Sequence, residues 1–149
     1  MDRQRRIREE QVITHYMGGN KAFKFMDSSS VPCLRIAART NSGRVYVLRI
    51  ELQNFPNAKP NAYVECMLKD YRGDDMDGAS SSNHTLSAHE NGWTQICHYH
   101  PDAWHPNFSL WMVYMRCMVW LNLYEYSLIV GKPIDHFLPG HMSGDYESE

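Results

Sequence analysis

The sequence predicts one α+β domain spanning residues 1–149: an N-terminal helix, an antiparallel β-meander, a cysteine-bearing strand and loop, and a long C-terminal helix. Three observations predict it. "CLRIAAR" and "RVYVLRIEL" alternate apolar with charged residues at the period of two that a half-buried strand needs. From Leu110 to Leu128 the apolar residues recur at helical spacing instead. A length of 149 residues, 43% of them hydrophobic and 21% charged, closes one core without staples and excludes both disorder and a fibrous repeat.

Each element follows from local chemistry. Residues 2–17, "DRQRRIREEQVITHYM", combine strong helix formers with an Asp at the start and a glycine pair, Gly18 and Gly19, at the stop. The arginines of this segment read as a solvated face. "NKAFKFMDSSSVP" breaks the pattern with Ser28–Ser30 and Pro32 and reads as a connector. In the first strand Leu34, Ile36 and Ala38 share a side; in the second Tyr46, Leu48, Ile50 and Leu52 do, and the "NSG" between them predicts a hairpin. Pro56 and Pro60 make "QNFPNAKPNA" a crossing loop, because proline cannot donate to a ladder, and "YVECML" is the third strand of the meander. Residues 69–83 are rich in Asp, Gly and Ser and read as a surface loop; "DDMDG" lacks the spaced ligands and closing Glu of an EF-hand. The last helix carries Leu110, Val113, Tyr114, Cys117, Leu121, Tyr124 and Leu128 on its core stripe and stops at Gly131 and Pro133. Trp111, Met115, Met118 and Trp120 add apolar surface elsewhere on it, which calls for a second cover or a partner. The acidic tail, about 139–149, reads as frayed.

Charge and cysteine usage narrow the function classes. A net charge of -2 gives no general field for nucleic acid. "MDRQRRIREEQ" lacks the apolar stretch of a signal peptide, and Cys33, Cys66, Cys97 and Cys117 form no CxxC pair, so the expected location is the cytoplasm. Arg116 interrupts the most apolar stretch and would cost about 2.5–3.5 kcal/mol at a bilayer centre, so no membrane span is expected.

The chemistry concentrates around Cys97. His84, His89, His98, His100 and His105 surround it in sequence. Cys33, Cys66 and Cys117 read as small buried hydrophobes, whereas Cys97 sits where a strand pattern gives way to "HYHPDAW", which brings its thiol to a strand end. A zinc site would need paired ligands at short spacing, and only the His100–His105 interval approaches that, so no metal or other cofactor is expected. A nucleophilic thiol near imidazoles is a third reading, beside a small buried hydrophobe and a metal ligand, and by itself the spacing does not choose among them.

The order of these residues resembles the ubiquitin-conjugating enzyme family. Phe55-Pro56, Gly92, Ile96-Cys97 and Trp104-His105-Pro106 stand where that family has its FP…P element, its glycine, its active-site cysteine and its W-x-P. His89, Cys97, Pro101, Trp104, Trp120-Leu121, Tyr124-Glu125 and Gly131 are similar to bacterial members found in CBASS antiphage defence operons. The resemblance covers about residues 2–137 and is most specific over 89–131. It departs from the eukaryotic pattern in three places: "LSAHENGW" has no Pro-Asn, with His89 where the family Asn would fall; His98 replaces the usual Leu; and the "HPN" of residues 105–107 follows the cysteine.

The resemblance implies a UBC-like fold and thioester transfer. Cys97 would hold the C-terminus of a protein, a cGAS-like nucleotidyltransferase, loaded directly or by a separate activating enzyme. His89 would donate to the tetrahedral oxyanion. His98 or His100 would tune the thiol or deprotonate the incoming amine, and Asp102 would orient that amine. The alternative is a catalytically inactive module of the same fold that binds a partner and merely retains Cys97.

Overall fold

The computed structural model describes residues 1–18 and 22–138, so the acidic tail at 139–149 lies outside the described residues. Helix α1 (Arg3–Met17) opens on Asp2, whose carboxylate accepts the Arg5 N–H at 2.8 Å, and closes on Gly18, whose φ of 63° a side chain would resist. It buries little beyond Ile13 and Glu9.

The expected connector contains a strand. β1 (Phe23–Met26) pairs antiparallel with β2 (Cys33–Arg39), setting Phe23 opposite Ile36 and Phe25 opposite Leu34. Phe23, Lys24 and Phe25 alternate with period two, but the following serines and Pro32 mask so short a signal.

β2 and β3 (Val45–Glu51) form the predicted hairpin, with Ile36 opposite Leu48 and Leu34 opposite Ile50, all four buried. β4 (Ala62–Val64) is shorter than "YVECML" suggests. The chain turns at Cys66, whose N–H reaches back to the Val64 carbonyl at 2.7 Å, and the thiol ends up exposed rather than buried as expected. β5 (Thr85–Leu86) and β6 (Gln95–Ile96) complete a six-stranded sheet in the order β1-β2-β3-β4-β6-β5. The polar segment 69–83 is a loop, tightened where the Asp70 carboxylate accepts the Arg72 and Asp74 N–H groups.

α2 (Leu110–Val130) packs on one face of the sheet and spans the length predicted. Ser109 caps it by accepting the Met112 N–H, and Gly131 ends it at φ 74°. A second cap comes from α1. Glu9, 4% exposed, accepts the Leu110 N–H at 2.7 Å and pairs with Arg5 at 2.7 Å, placing an anion at the positive end of α2. Arg5 also donates to the Pro106 and Phe108 carbonyls, so it clamps the approach to α2 instead of facing solvent.

The buried stripe of α2 follows Leu110, Cys117 and Tyr124 with Val113, Trp120 and Ser127, a seven-residue repeat. Such a repeat drifts against 3.6 residues per turn, which carries Leu128 out to 39% exposure and brings Trp120, expected off the stripe, to full burial. The Trp120 indole N–H is shared between the Asn83 and His84 carbonyls at 3.0 Å each. Among the described residues no helix is long and apolar enough to cross a membrane.

Candidate active site around Cys97

Cys97 lies one residue past the end of β6, directly after Ile96, which is fully buried in the core. The Cys97 N–H still pairs with the His84 carbonyl at 3.0 Å, which fixes the backbone one residue past β6. The thiol is half-buried and donates over 3.9 Å, the long reach of sulfur, to the Tyr99 carbonyl. Cys33 and Cys117 are sealed in the fold; burial pushes the Cys117 thiol up to about 12.

Two loops frame the thiol, and three hydrogen bonds hold them together. The Lys59 ammonium donates to the Tyr99 carbonyl at 2.9 Å, a His98 ring N–H to the Pro60 carbonyl at 2.7 Å, and the Trp104 indole N–H to the Pro56 carbonyl at 2.8 Å. Phe55, Tyr99, Trp104 and Phe108 pack edge and face between the same loops, with ring centroids 5.2–6.0 Å apart. Trp104 is thus the packing anchor that joins the proline loop to the cysteine loop.

Comparison with family models, with curated proteins and with solved structures gives no match. The chemistry therefore rests on the residues themselves.

The histidines divide by what they do. His98 is wholly buried: Nε2 bonds Pro60, Nδ1 has no partner, and burial pushes its pKa down to about 3, with the Lys59 and Arg116 charges pushing the same way. It is a neutral structural donor, with no free nitrogen turned to solvent. His89, His100 and His105 share another role. Each accepts, through Nδ1, the backbone N–H two residues on, from Asn91 at 3.0 Å, Asp102 at 3.2 Å and Asn107 at 3.0 Å. These are the turns that Asn and Asp side chains usually make. An accepting Nδ1 leaves the proton on Nε2, so all three rings carry an Nε2–H in the neutral form. The density of imidazoles near Cys97 is in large part turn chemistry.

His100 caps the 3-10 turn Pro101–Ala103. The Asp102 carboxylate lies 3.6 Å from the same Nδ1, but that nitrogen already accepts the Asp102 N–H, so the contact is an ion pair only if the ring is protonated. Asp102 itself is 92% exposed at its side chain. His89 stacks on Trp93 at 4.6 Å, meets Tyr63 edge-on at 5.0 Å and turns Nε2 to the Glu51 carboxylate at 3.8 Å. Glu51 closes β3 and Tyr63 lies in β4, so residues of those two strands hold the ring. Among the described residues no group of three His, Cys, Asp or Glu side chains converges as metal ligands would.

Sequence reasoning missed two neighbours of the thiol. Lys59 is half-buried, and burial lowers its pKa; it is also the charge that acts on Cys97, partly offsetting the burial that raises the thiol above its ordinary 9.0. Asn61 is the other, by chain position: Asn61 and Cys97 each lie one residue beyond the Ala62–Ile96 pair that ends the β4–β6 ladder, and the Asn61 side chain hydrogen-bonds Tyr63. The Glu51 N–H bonds the Asn61 carbonyl at 2.9 Å, which ties the end of β3 to the start of β4. Only the register of two distant strands brings these residues together, and a lysine between prolines carries no local signal.

Proposed function

We propose that the chain is a ubiquitin-conjugating-like transferase with a UBC-like fold, carrying an acyl group as a thioester on Cys97. The observation that supports this best is the placement of that thiol. It is half-buried at a strand terminus, in a frame of two cross-bonded loops that precedes the long helix. A fixed thiol beside a cation suits attack on a carbonyl, because Lys59 lies where negative charge develops on sulfur. In the first step the sulfur attacks the C-terminal carbonyl of a protein partner already held as a thioester on an activating enzyme, whose thiol leaves as the new C–S bond forms; in the second an amine attacks that carbonyl, the C–N bond forms, and the Cys97 sulfur leaves as the thiol. The candidate donors to the oxyanion are the His89 Nε2–H and the amide of Asn61, one residue past the end of the β4–β6 ladder. His100 and Asp102 belong to the exposed 3-10 turn that follows the cysteine, where an incoming amine would meet them. The sequence resemblance supplies the partner: a cGAS-like nucleotidyltransferase, in bacterial CBASS defence, in the cytoplasm.

The test is an oxygen-ester trap. Cys97→Ser, co-expressed with a cGAS-like nucleotidyltransferase and its operon neighbours, is expected to accumulate an adduct of the two chains that resists thiol reductants and is cleaved by hydroxide. A Cys97→Ser chain that stays at its own mass, while the unmodified chain also forms no reductant-sensitive adduct, contradicts the proposal.

A second reading has its own support. The thiol pKa is raised, His98 is inert, and α2 exposes Met112, Met115, Val119, Tyr126 and Ile129 along one side. These features fit an inactive module of the same fold that binds a partner through that helix. Cys97→Ala separates the two: it abolishes thioester transfer and leaves adaptor binding intact.

A further inference from the structure

The sulfur of Cys97 and the amine of Lys59 converge on one acceptor. The Tyr99 carbonyl receives Lys59 Nζ at 2.9 Å and Cys97 Sγ at 3.9 Å, so nitrogen and sulfur are no farther apart than those two distances laid end to end. The lysine stem is half-buried in the proline loop, which the His98–Pro60 and Trp104–Pro56 bonds hold against the cysteine loop. From this geometry we propose that Lys59 is a self-modification site: an acyl group on Cys97 passes to Lys59 of the same chain when no outside amine takes it.

This inference rests on the thioester reading above. The step balances without a co-reactant. The neutral Lys59 amine attacks the thioester carbonyl, a C–N bond forms as the C–S bond breaks, and the amine proton passes to the departing sulfur. The product is an amide on Lys59 and a free Cys97 thiol, which is a chain that has spent its acyl group on itself. Two conditions favour it. An amine held beside its target reacts as though highly concentrated, and measured effective molarities reach about 10⁵–10⁸ M for well-oriented pairs. Burial also disfavours the ammonium form of Lys59, which enlarges the reactive neutral fraction, whereas Lys69 is held charged by its 2.7 Å pair with Asp75. Outside amines therefore compete with an internal one, and a partner that supplies a substrate amine must reach the thioester faster than Lys59 does.

A small acyl donor tests the idea without any partner protein. The folded chain is incubated with the acetyl thioester of N-acetylcysteamine, quenched over time, and followed by intact mass with and without hydroxylamine and by peptide mapping. A hydroxylamine-labile acetyl on Cys97 is expected first, then a hydroxylamine-stable acetyl on Lys59. Lys59→Arg, which keeps the charge and the hydrogen bond to Tyr99, is expected to hold the Cys97 thioester about ten times longer or more, a small part of the advantage available to an oriented amine. Cys97→Ala is expected to leave Lys59 unmodified. A Cys97 thioester as long-lived in the unmodified chain as in Lys59→Arg overturns this inference and leaves the thioester reading standing. So does Lys59 acetylation that proceeds equally in Cys97→Ala. A chain that never takes acetyl on Cys97 overturns both.

Discussion

His98 gives the sharpest prediction, because a group buried in its neutral form leaves a mark on stability that pH reveals. The ring is fully buried and its pKa falls from 6.5 to about 3, chiefly through burial. The folded pKa lies below the unfolded one. Between pH 6.5 and about 3, unfolding therefore takes up a proton that the folded chain refuses, and stability falls as pH drops through that window. One proton is worth about 1.4 kcal/mol per pH unit, so the step from pH 6.5 to pH 5 removes about 2 kcal/mol. His98→Gln is the matching perturbation, since the glutamine amide nitrogen reaches about where Nε2 does and keeps the donor to Pro60. Urea unfolding of both chains in half-unit pH steps isolates the histidine, because the carboxylates contribute alike to each and cancel in the difference. The unmodified chain should lose stability relative to His98→Gln on acidification, with the two curves parallel above about pH 7. Curves parallel throughout, or a difference of opposite sign, would refute a buried neutral His98.

Three further outcomes follow from the same contacts. Glu9→Ala strands the Arg5 guanidinium and the Leu110 N–H, and should cost about 3 kcal/mol by denaturant titration; a loss within the scatter of surface substitutions would remove α1 as the cap of α2. Asn61→Ala and His89→Ala test the two candidate oxyanion donors: loss of the one that acts should slow acylation of Cys97 by about a hundredfold or more in single-turnover assays, and rates unchanged in both would remove them from that role. Iodoacetamide on the native chain, read by peptide mapping, should mark Cys66 fastest, Cys97 more slowly and neither Cys33 nor Cys117; labelling of Cys117 before Cys97 would contradict the packing.

Period and punctuation made the main frame legible. Asp2 and Gly18 bound α1, Ser109 and Gly131 bound α2, and the alternation of Leu34, Ile36 and Ala38 with Arg35 and Arg39 set the inner face of β2, because each signal lies within a few residues of what it controls. Signals two to four residues long were not legible: β1 hides beside a serine run, β4 ends before Cys66, and β5 and β6 exist only as partners of other strands. The position of Cys97 at a strand terminus could be read, since "TQIC" runs into a proline-containing turn. Its surroundings could not. Histidines that look like a ligand set are capping turns or lie buried, and the charged neighbour, Lys59, comes from a loop 38 residues upstream. Contacts of that separation are set by register and loop docking, which composition and spacing do not encode locally.

The central claim is that the sulfur of Cys97, and no other sulfur in the chain, holds the carried acyl group. Cys66 is the alternative that must be separated, since its thiol is exposed. The direct measurement is non-reducing intact mass of the chain incubated with the proposed partner, a cGAS-like nucleotidyltransferase, and an activating enzyme, with the linked peptide mapped in Cys66→Ala and Cys97→Ala backgrounds. The account predicts a reductant-sensitive adduct that survives Cys66→Ala and disappears in Cys97→Ala. An adduct that persists in Cys97→Ala, or that maps to Cys66, contradicts it.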